Sequence, residues 1–257
     1  MKATPYDDIN LLLQDFVQSV QNILGENIVG IYLMGSLSYG DFVLGRSDID
    51  LTVVVKEPIS QEDFKQIEQL HINLEQRHIK WVKRIECQYV SLEMFKQLLP
   101  IELRRPYYGA GTFYPEALFG NEWLINNYSL EKHGISLVGP EFKTLIVPID
   151  IKEVQKASAR DLFKEWVPKI SNADFFKDGH SQSYVVLNVC RILFTVIYNE
   201  FGSKRASTEW VKKEFPQWKH LIEVADKWKY GDMMTMQKDV EDFIRFAVEK
   251  IEGAKLI

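Results

Sequence analysis

Asp48 and Asp50 stand at the head of an apolar, β-branched run, Ser47-Asp48-Ile49-Asp50-Leu51-Thr52-Val53-Val54-Val55. On a strand, residues two apart share a face, so both carboxylates point one way while Ile49 and Leu51 point the other. Two like charges side by side on an apolar strand are unfavourable without a cation between them, and hard oxygen ligands suit Mg²⁺. Upstream, a second apolar run from Ile28 to Met34 ends in Gly35-Ser36. A glycine there lets backbone approach a ligand closely, and the amide and hydroxyl groups that follow can bind phosphate oxygens. Ser47 adds a hydroxyl beside the first carboxylate. The stretch from Ile31 to Val55 reads as a phosphate cradle facing a metal site. Taken as a bare Asp-x-Asp, the same carboxylates are the solvated edge of a hairpin.

The elements that must position these groups are legible around them. Thr4 and Pro5 make a helix start. Ile9, Leu12, Leu13, Phe16, Val20 and Ile23 follow at helical spacing until Gly25. Ser60 caps a second helix carrying Phe64, Ile67, Leu70 and Leu74. Trp81 to Val90 alternates as a third strand, with Glu86 and Gln88 on one face and Ile85, Cys87 and Tyr89 on the other. From Pro100 to Gly139 the chain is irregular, aromatic and glycine-bearing, and reads as a long loop and connector. A junction falls near 145–150, dividing an N-terminal domain, 1–147, from a helical domain, 148–257. There the expected helices are Ile151 to Trp166, Ser181 to Phe201 stopped by Gly202, a short one from Ser207, and two more near 217–230 and 233–252.

At 257 residues the chain suits one large domain or two small ones. Its net charge of −5 and pI of about 5.6 argue against a nucleic-acid polymerase, which needs a basic track for phosphates. Mild acidity is compatible with a cationic small substrate, and equally with mere solubility. Cys87 and Cys190 have no CxxC or histidine pair beside them and read as buried free thiols of a reducing compartment. The opening Met1-Lys-Ala-Thr-Pro-Tyr-Asp-Asp turns acidic at once, unlike a signal peptide, and no apolar run is expected to reach transmembrane length. The expected location is cytoplasmic.

Gly35-Ser36 followed by Ser47-Asp48-Ile49-Asp50-Leu51 resembles the signature of the nucleotidyltransferase superfamily, in which Gly-Ser and Asp-x-Asp flank a nucleoside triphosphate. An isolated strand glutamate is ordinarily solvent-facing. The resemblance instead makes Glu86 the carboxylate that meets the aspartate pair and, as in the antibiotic-modifying members, the general base. The second half narrows the likeness. Leu137-Val-Gly-Pro140, Val185-Val-Leu-Asn-Val-Cys-Arg191, and Lys204 six residues before Trp210 resemble, in order, the streptomycin/spectinomycin adenylyltransferases of the aminoglycoside nucleotidyltransferase family.

That resemblance implies an α/β nucleotidyltransferase domain, a mixed sheet flanked by helices, followed by an all-α helical domain. It implies ATP as co-substrate, Mg²⁺ on Asp48 and Asp50, phosphates on Gly35, Ser36 and Ser47, and Arg191 and Lys204 on the triphosphate. Arginine offers a bidentate fork to the charge developing on pyrophosphate, lysine a point charge. For substrate recognition it points to Trp166, Asp174 and Asp178. The loop holding those acids is longer here, and Ser181 stands where the family can place an acid ten residues before the arginine. The expected partners are ATP and a small-molecule hydroxyl acceptor, an aminoglycoside or aminocyclitol, with no nucleic acid or membrane and a monomeric or homodimeric protein. The alternatives are adenylylation of another small molecule or of a protein, and a non-catalytic nucleotide-binding module.

Overall fold

Alternating apolar residues build the first half of the molecule around a sheet. The computed structural model describes residues 2–96, 104–120, 122–172 and 174–254. The chain divides into two compact units, Met1–Phe42 with Ser47–Pro148, and Val43–Arg46 with Ile149–Ile257. In the first unit the chain runs through α1 (Asp7–Leu24), β1 (Ile28–Met34), β2 (Ile49–Val55), α2 (Gln61–Arg77), β3 (Ile85–Ser91), β4 (Arg104–Gly109), β5 (Thr112–Leu118), α3 (Glu122–His133) and β6 (Ile135–Val138). The strands form one mixed sheet in the order β5-β4-β3-β2-β1-β6. Among the described residues only the β2–β3 pair is parallel, joined by the α2 crossover that parallel neighbours require.

Helices α1 and α2 cover one sheet face. Ile9, Leu13 and Phe16 of α1 and Ile67, Leu70 and Leu74 of α2 share a core with Ile31, Leu33, Ile49, Leu51, Ile85 and Cys87. The alternate residues therefore point to the other face, where Tyr32, Met34 and Val54 pack with Leu130 of α3 and with Phe142. A slip of one residue in any strand would exchange the two sets, so burial of the first face fixes which side receives Asp50 and Glu86.

Two local expectations are corrected. Helix α1 starts after Tyr6, because the Thr4 amide and hydroxyl bond the buried Asn10 side chain instead of capping the helix. The stretch expected to be a long loop is largely regular. Residues 100–103 lie outside the described residues, but the remainder forms the β4–β5 hairpin, α3 and β6. Ala110 and Gly111 take positive φ, 51° and 78°, the two-residue turn whose twist suits paired strands. The aromatic residues around it are strand residues rather than loop packing.

His71 of α2 is fully buried, stacked 4.1 Å from the Tyr108 ring, with Nε2 2.8 Å from the Tyr89 hydroxyl. Burial pulls its pKa down to about 3. The unfolded chain binds that proton near pH 6.5, so between about pH 3 and 6.5 the unfolded state holds more protons and stability falls as pH falls. Tyr89 and Tyr108, which face it, are pushed upward by burial and stay neutral throughout. From pH 7 to 5 this single group is expected to remove about 2 kcal/mol of stability. Urea unfolding of wild type and His71→Phe at both pH values checks it: the wild-type loss should exceed that of the variant by about this amount. Equal losses would refute it.

The second unit is mostly helical: α4 (Ile151–Asp161), α5 (Gly179–Leu193), α6 (Lys204–Glu214), α7 (Lys219–Lys227) and α8 (Gln237–Gly253). Helix α5 lies at its centre, with Val185, Val186, Val189, Cys190 and Leu193 packed among Val211, Leu221, Ile222, Val240 and Phe243. It continues through a π turn to Tyr198 and stops at Asn199, in the left-handed region at φ 64°, short of the expected Gly202. Contrary to expectation, Gly179–Tyr198 is long and apolar enough to cross a membrane, but 67% of that window is buried inside the unit. Its apolarity serves a core. Both cysteines are free and buried, as expected.

Candidate active site

The antiparallel register sets Met34 of β1 opposite Asp50 of β2, so the turn leaving β1 arrives beside that carboxylate. Gly35 sits there with φ 66°. A Cβ at this position would lie 1.9 Å from Asp50 Oδ2 and 2.8 Å from its Cγ. Glycine is required twice, for the left-handed backbone and for the space the carboxylate fills. Beyond it the chain tightens into a short 3₁₀ turn, Gly35–Leu37, in which the Ser38 amide and hydroxyl donate to the Gly35 carbonyl and the Asp41 amide donates to that of Ser36. The Gly-Ser step and the second aspartate are thus one piece of structure.

Parallel pairing of β2 with β3 sets Asp50 beside Glu86 and Thr52 beside Gln88, on the face opposite α1 and α2. The strand-borne carboxylates of the proposed site therefore sit side by side. Asp48 precedes β2, and its Oδ1 accepts a 2.7 Å hydrogen bond from Arg84 Nε. The same guanidinium donates to the Ser47 carbonyl, while the Ile49 amide donates to the Arg84 carbonyl. This mostly buried arginine, which no motif marked, offsets the charge of Asp48.

No three His, Cys, Asp or Glu side chains among the described residues gather closely enough to cage a metal by themselves. Magnesium does not need such a cage, since one or two carboxylates plus substrate phosphates are its usual holders. Carboxylate oxygens at Asp50 and Asp48 are hard donors of the kind it takes.

Tyr107 of β4, like Arg84, was not marked by sequence reasoning. It is paired with Gln88 across β3–β4. Burial first, then the charges of Glu86 and Asp50, push that phenol well above the ordinary tyrosine range. Behind it runs a buried polar row. Arg105 Nε donates to Gln88 Oε1 at 3.0 Å, Gln88 Nε2 donates to Thr52 Oγ1 at 3.0 Å, and an Arg105 Nη1 donates to the Leu118 carbonyl at 2.8 Å. Hydrogen bonding throughout the row is what makes a buried guanidinium tolerable. The Ala110-Gly111 pair between aromatic runs was the signal for this hairpin.

The remaining candidates lie in the helical unit. Arg191 is on α5, with its guanidinium 5.4 Å from the Phe201 ring. Lys204 is the first residue of α6, which starts three residues earlier than expected, and its ammonium lies 5.1 Å from the Tyr184 ring. Trp166 lies 5.8 Å from that same ring and donates its indole N–H to Asp161. The structure thus groups Trp166, Tyr184 and Lys204. Asp178 caps α5: its Oδ1 accepts from the Ser181 amide and its Oδ2 from the Ser181 hydroxyl. Ser181 is therefore the partner of a helix cap. Asp174 is exposed and paired with Lys177.

Comparison with known proteins agrees with this architecture. Residues 13–99 match the nucleotidyltransferase domain model, and residues 144–250 match the model of the aminoglycoside adenylyltransferase C-terminal domain. The chain is 25% identical over 257 residues to spectinomycin 9-adenylyltransferase of Campylobacter jejuni, covering 92% of this chain and 93% of that one. It is 24% identical over 225 residues to the enzyme of the same name from Staphylococcus aureus strain Mu50, covering 83% and 82%. The solved structure of spectinomycin adenyltransferase AAD(9) from Enterococcus faecialis, with ATP and spectinomycin, superposes with a TM-score of 0.69 over 95% of this chain and 99% of that one. At 15% identity, that likeness speaks to the fold. With a nucleotidyltransferase domain followed by an aminoglycoside adenylyltransferase C-terminal domain, this chain is a nucleotidyltransferase enzyme.

Proposed function

We propose that this enzyme transfers AMP from ATP, with Mg²⁺, to a hydroxyl of an aminocyclitol antibiotic of the spectinomycin type, and that the transfer confers resistance. The observation that carries the chemistry is the Asp50 carboxylate seated against Gly35 with Glu86 beside it in register. The acceptor class rests on the spectinomycin adenylyltransferases that the chain resembles along most of its length.

Asp48 and Asp50 are the residues that would hold Mg²⁺. The bound ion supplies charge neutralisation on the phosphates. Gly35, Ser36 and Ser47 present backbone and hydroxyl groups to phosphate oxygens. Glu86 takes the proton of the acceptor hydroxyl, whose oxygen attacks the α-phosphorus as the bond to pyrophosphate breaks. Arg191 and Lys204 are assigned to the triphosphate, where positive charge favours a departing pyrophosphate. Trp166 is the proposed contact for the acceptor, with Asp174 and Asp178 as acidic companions. Asp178 keeps its cap on α5 in that role.

The test incubates the purified protein with labelled ATP, Mg²⁺ and a panel of aminocyclitols and aminoglycosides, reading pyrophosphate release and the gain of one AMP by mass. Transfer to spectinomycin, with a raised inhibitory concentration in cells expressing the gene, is the expected result. Transfer to streptomycin alone would move the acceptor within the class. Calorimetric ATP binding with no pyrophosphate released for any acceptor would leave a nucleotide-binding module.

A further inference from the structure

The two aspartates are held in place by different means. Asp50 is a rung of the β2–β3 ladder, whereas Asp48 stands one residue ahead of the first rung, Ile49 beside Ile85. Arg84 stands one residue ahead of the same rung on the other strand. There the ladder ends in a main-chain bond, from the Ile49 amide to the Arg84 carbonyl at 2.8 Å, and side-chain bonds carry the pairing one step further. Arg84 Nε donates to Asp48 Oδ1 at 2.7 Å, and Arg84 Nη2 donates to the Ser47 carbonyl. One rigid guanidinium plane therefore ties down both the carboxylate and the backbone that carries it. The arginine is anchored in turn. Its amide donates to the carbonyl of the buried Trp81 at 3.0 Å, and its side chain is largely shielded from solvent.

We infer that Arg84 is a positioning residue for the metal, its bond to Oδ1 holding the Asp48 carboxylate in one orientation and leaving Oδ2 for the ion. The inference rests on the reading of Asp48 and Asp50 as the Mg²⁺ holders. A guanidinium beside a metal-binding carboxylate acts in two opposed ways. Its charge repels a divalent cation, while its bonds order the ligand before the ion arrives. Positioning requires the second effect to be the larger, so removing the arginine must weaken metal binding. If the charge were the larger effect, removal would strengthen it.

The test needs no turnover. Binding of α,β-methylene-ATP, whose α–β bridge cannot be cleaved, is measured by calorimetry once with Mn²⁺ and once in EDTA, and the ratio of the two affinities isolates the metal. Arg84→Met is expected to cut that ratio by about 10- to 100-fold, the usual size for losing the partner of a metal ligand, with the affinity in EDTA within about twofold of wild type. Arg84→Lys keeps the charge without the fork and should lose at least about threefold; it carries the test if a melt in EDTA shows that Arg84→Met does not fold. A ratio unchanged or raised in Arg84→Met overturns the inference, as does a wild-type ratio in Arg84→Lys. Equal weakening with Mn²⁺ and in EDTA would mark the arginine as merely structural and overturn it too. Asp48→Asn separates this from the reading beneath it. If Asp48→Asn lowers the ratio and Arg84→Met does not, the positioning role falls alone. If Asp48→Asn leaves the ratio unchanged, Asp48 is no metal ligand, and the assignment and the positioning role fall together.

Discussion

Asp50→Asn should lower AMP transfer at least about a thousandfold while leaving the melting temperature in chelator unchanged or raised. Loss of a metal-binding carboxylate forfeits several kcal/mol of charge stabilisation in the transition state, and each 1.36 kcal/mol is a factor of ten. The metal-free protein gains instead, because Asp50 lies beside Glu86 in the β2–β3 ladder and one of two adjacent negative charges disappears. Asparagine has the same shape, so it still fits the space left by Gly35. Pyrophosphate release and a melt in EDTA measure the two halves separately. Transfer within tenfold of wild type would remove the metal assignment. A large fall in the EDTA melting temperature would mean that the carboxylate is structural.

Gly35→Ala should lower transfer by about a hundredfold or more, and the reason can be separated from ordinary backbone strain. An L side chain in the left-handed region adds about 1–2 kcal/mol of strain. At Gly35 there is a second effect, since the new Cβ would overlap Asp50 Oδ2, 1.9 Å away, and the carboxylate must leave its place. Gly40 is the control: its φ is 81°, but nothing lies within 4 Å of a Cβ built there. Gly40→Ala should share the thermal loss and keep transfer within a few-fold. Equal losses of transfer in the two variants would show that strain alone is responsible, and that Asp50 does not depend on the glycine.

What could be read without coordinates was whatever repeats with a strand's period or stands in a fixed motif. The shared face of Asp50 and Glu86 was legible because Ile49, Leu51, Ile85 and Cys87 alternate with them, and burial of those four on α1 and α2 decides the face. Arg84 was not, because a charged residue just before a strand looks like any solvated surface cation until its partner is placed. Tyr107 was lost with its hairpin: Tyr107, Tyr108, Phe113 and Tyr114 are as consistent with a packed loop as with two strands, and only the Ala110-Gly111 turn separates the two. Helix α3 went unread because buried Asn127 and Ser129 sit among Trp123, Leu124 and Leu130, leaving no apolar stripe. For Asp178 the acid itself was visible, but not that Ser181 three residues on would bind both its oxygens. Capping is a local competition that a search for substrate acids overlooks.

Because Asp50 and Glu86 are rungs of one parallel ladder, their Cα atoms are held at the distance between adjacent strands, about 4.8 Å, by main-chain hydrogen bonds that any residue can make. The sheet acts as a ruler whose graduation does not depend on side-chain identity. Helices and loops around the sheet can change without altering that spacing. New acceptors can then be explored on the periphery without resetting the gap at the centre.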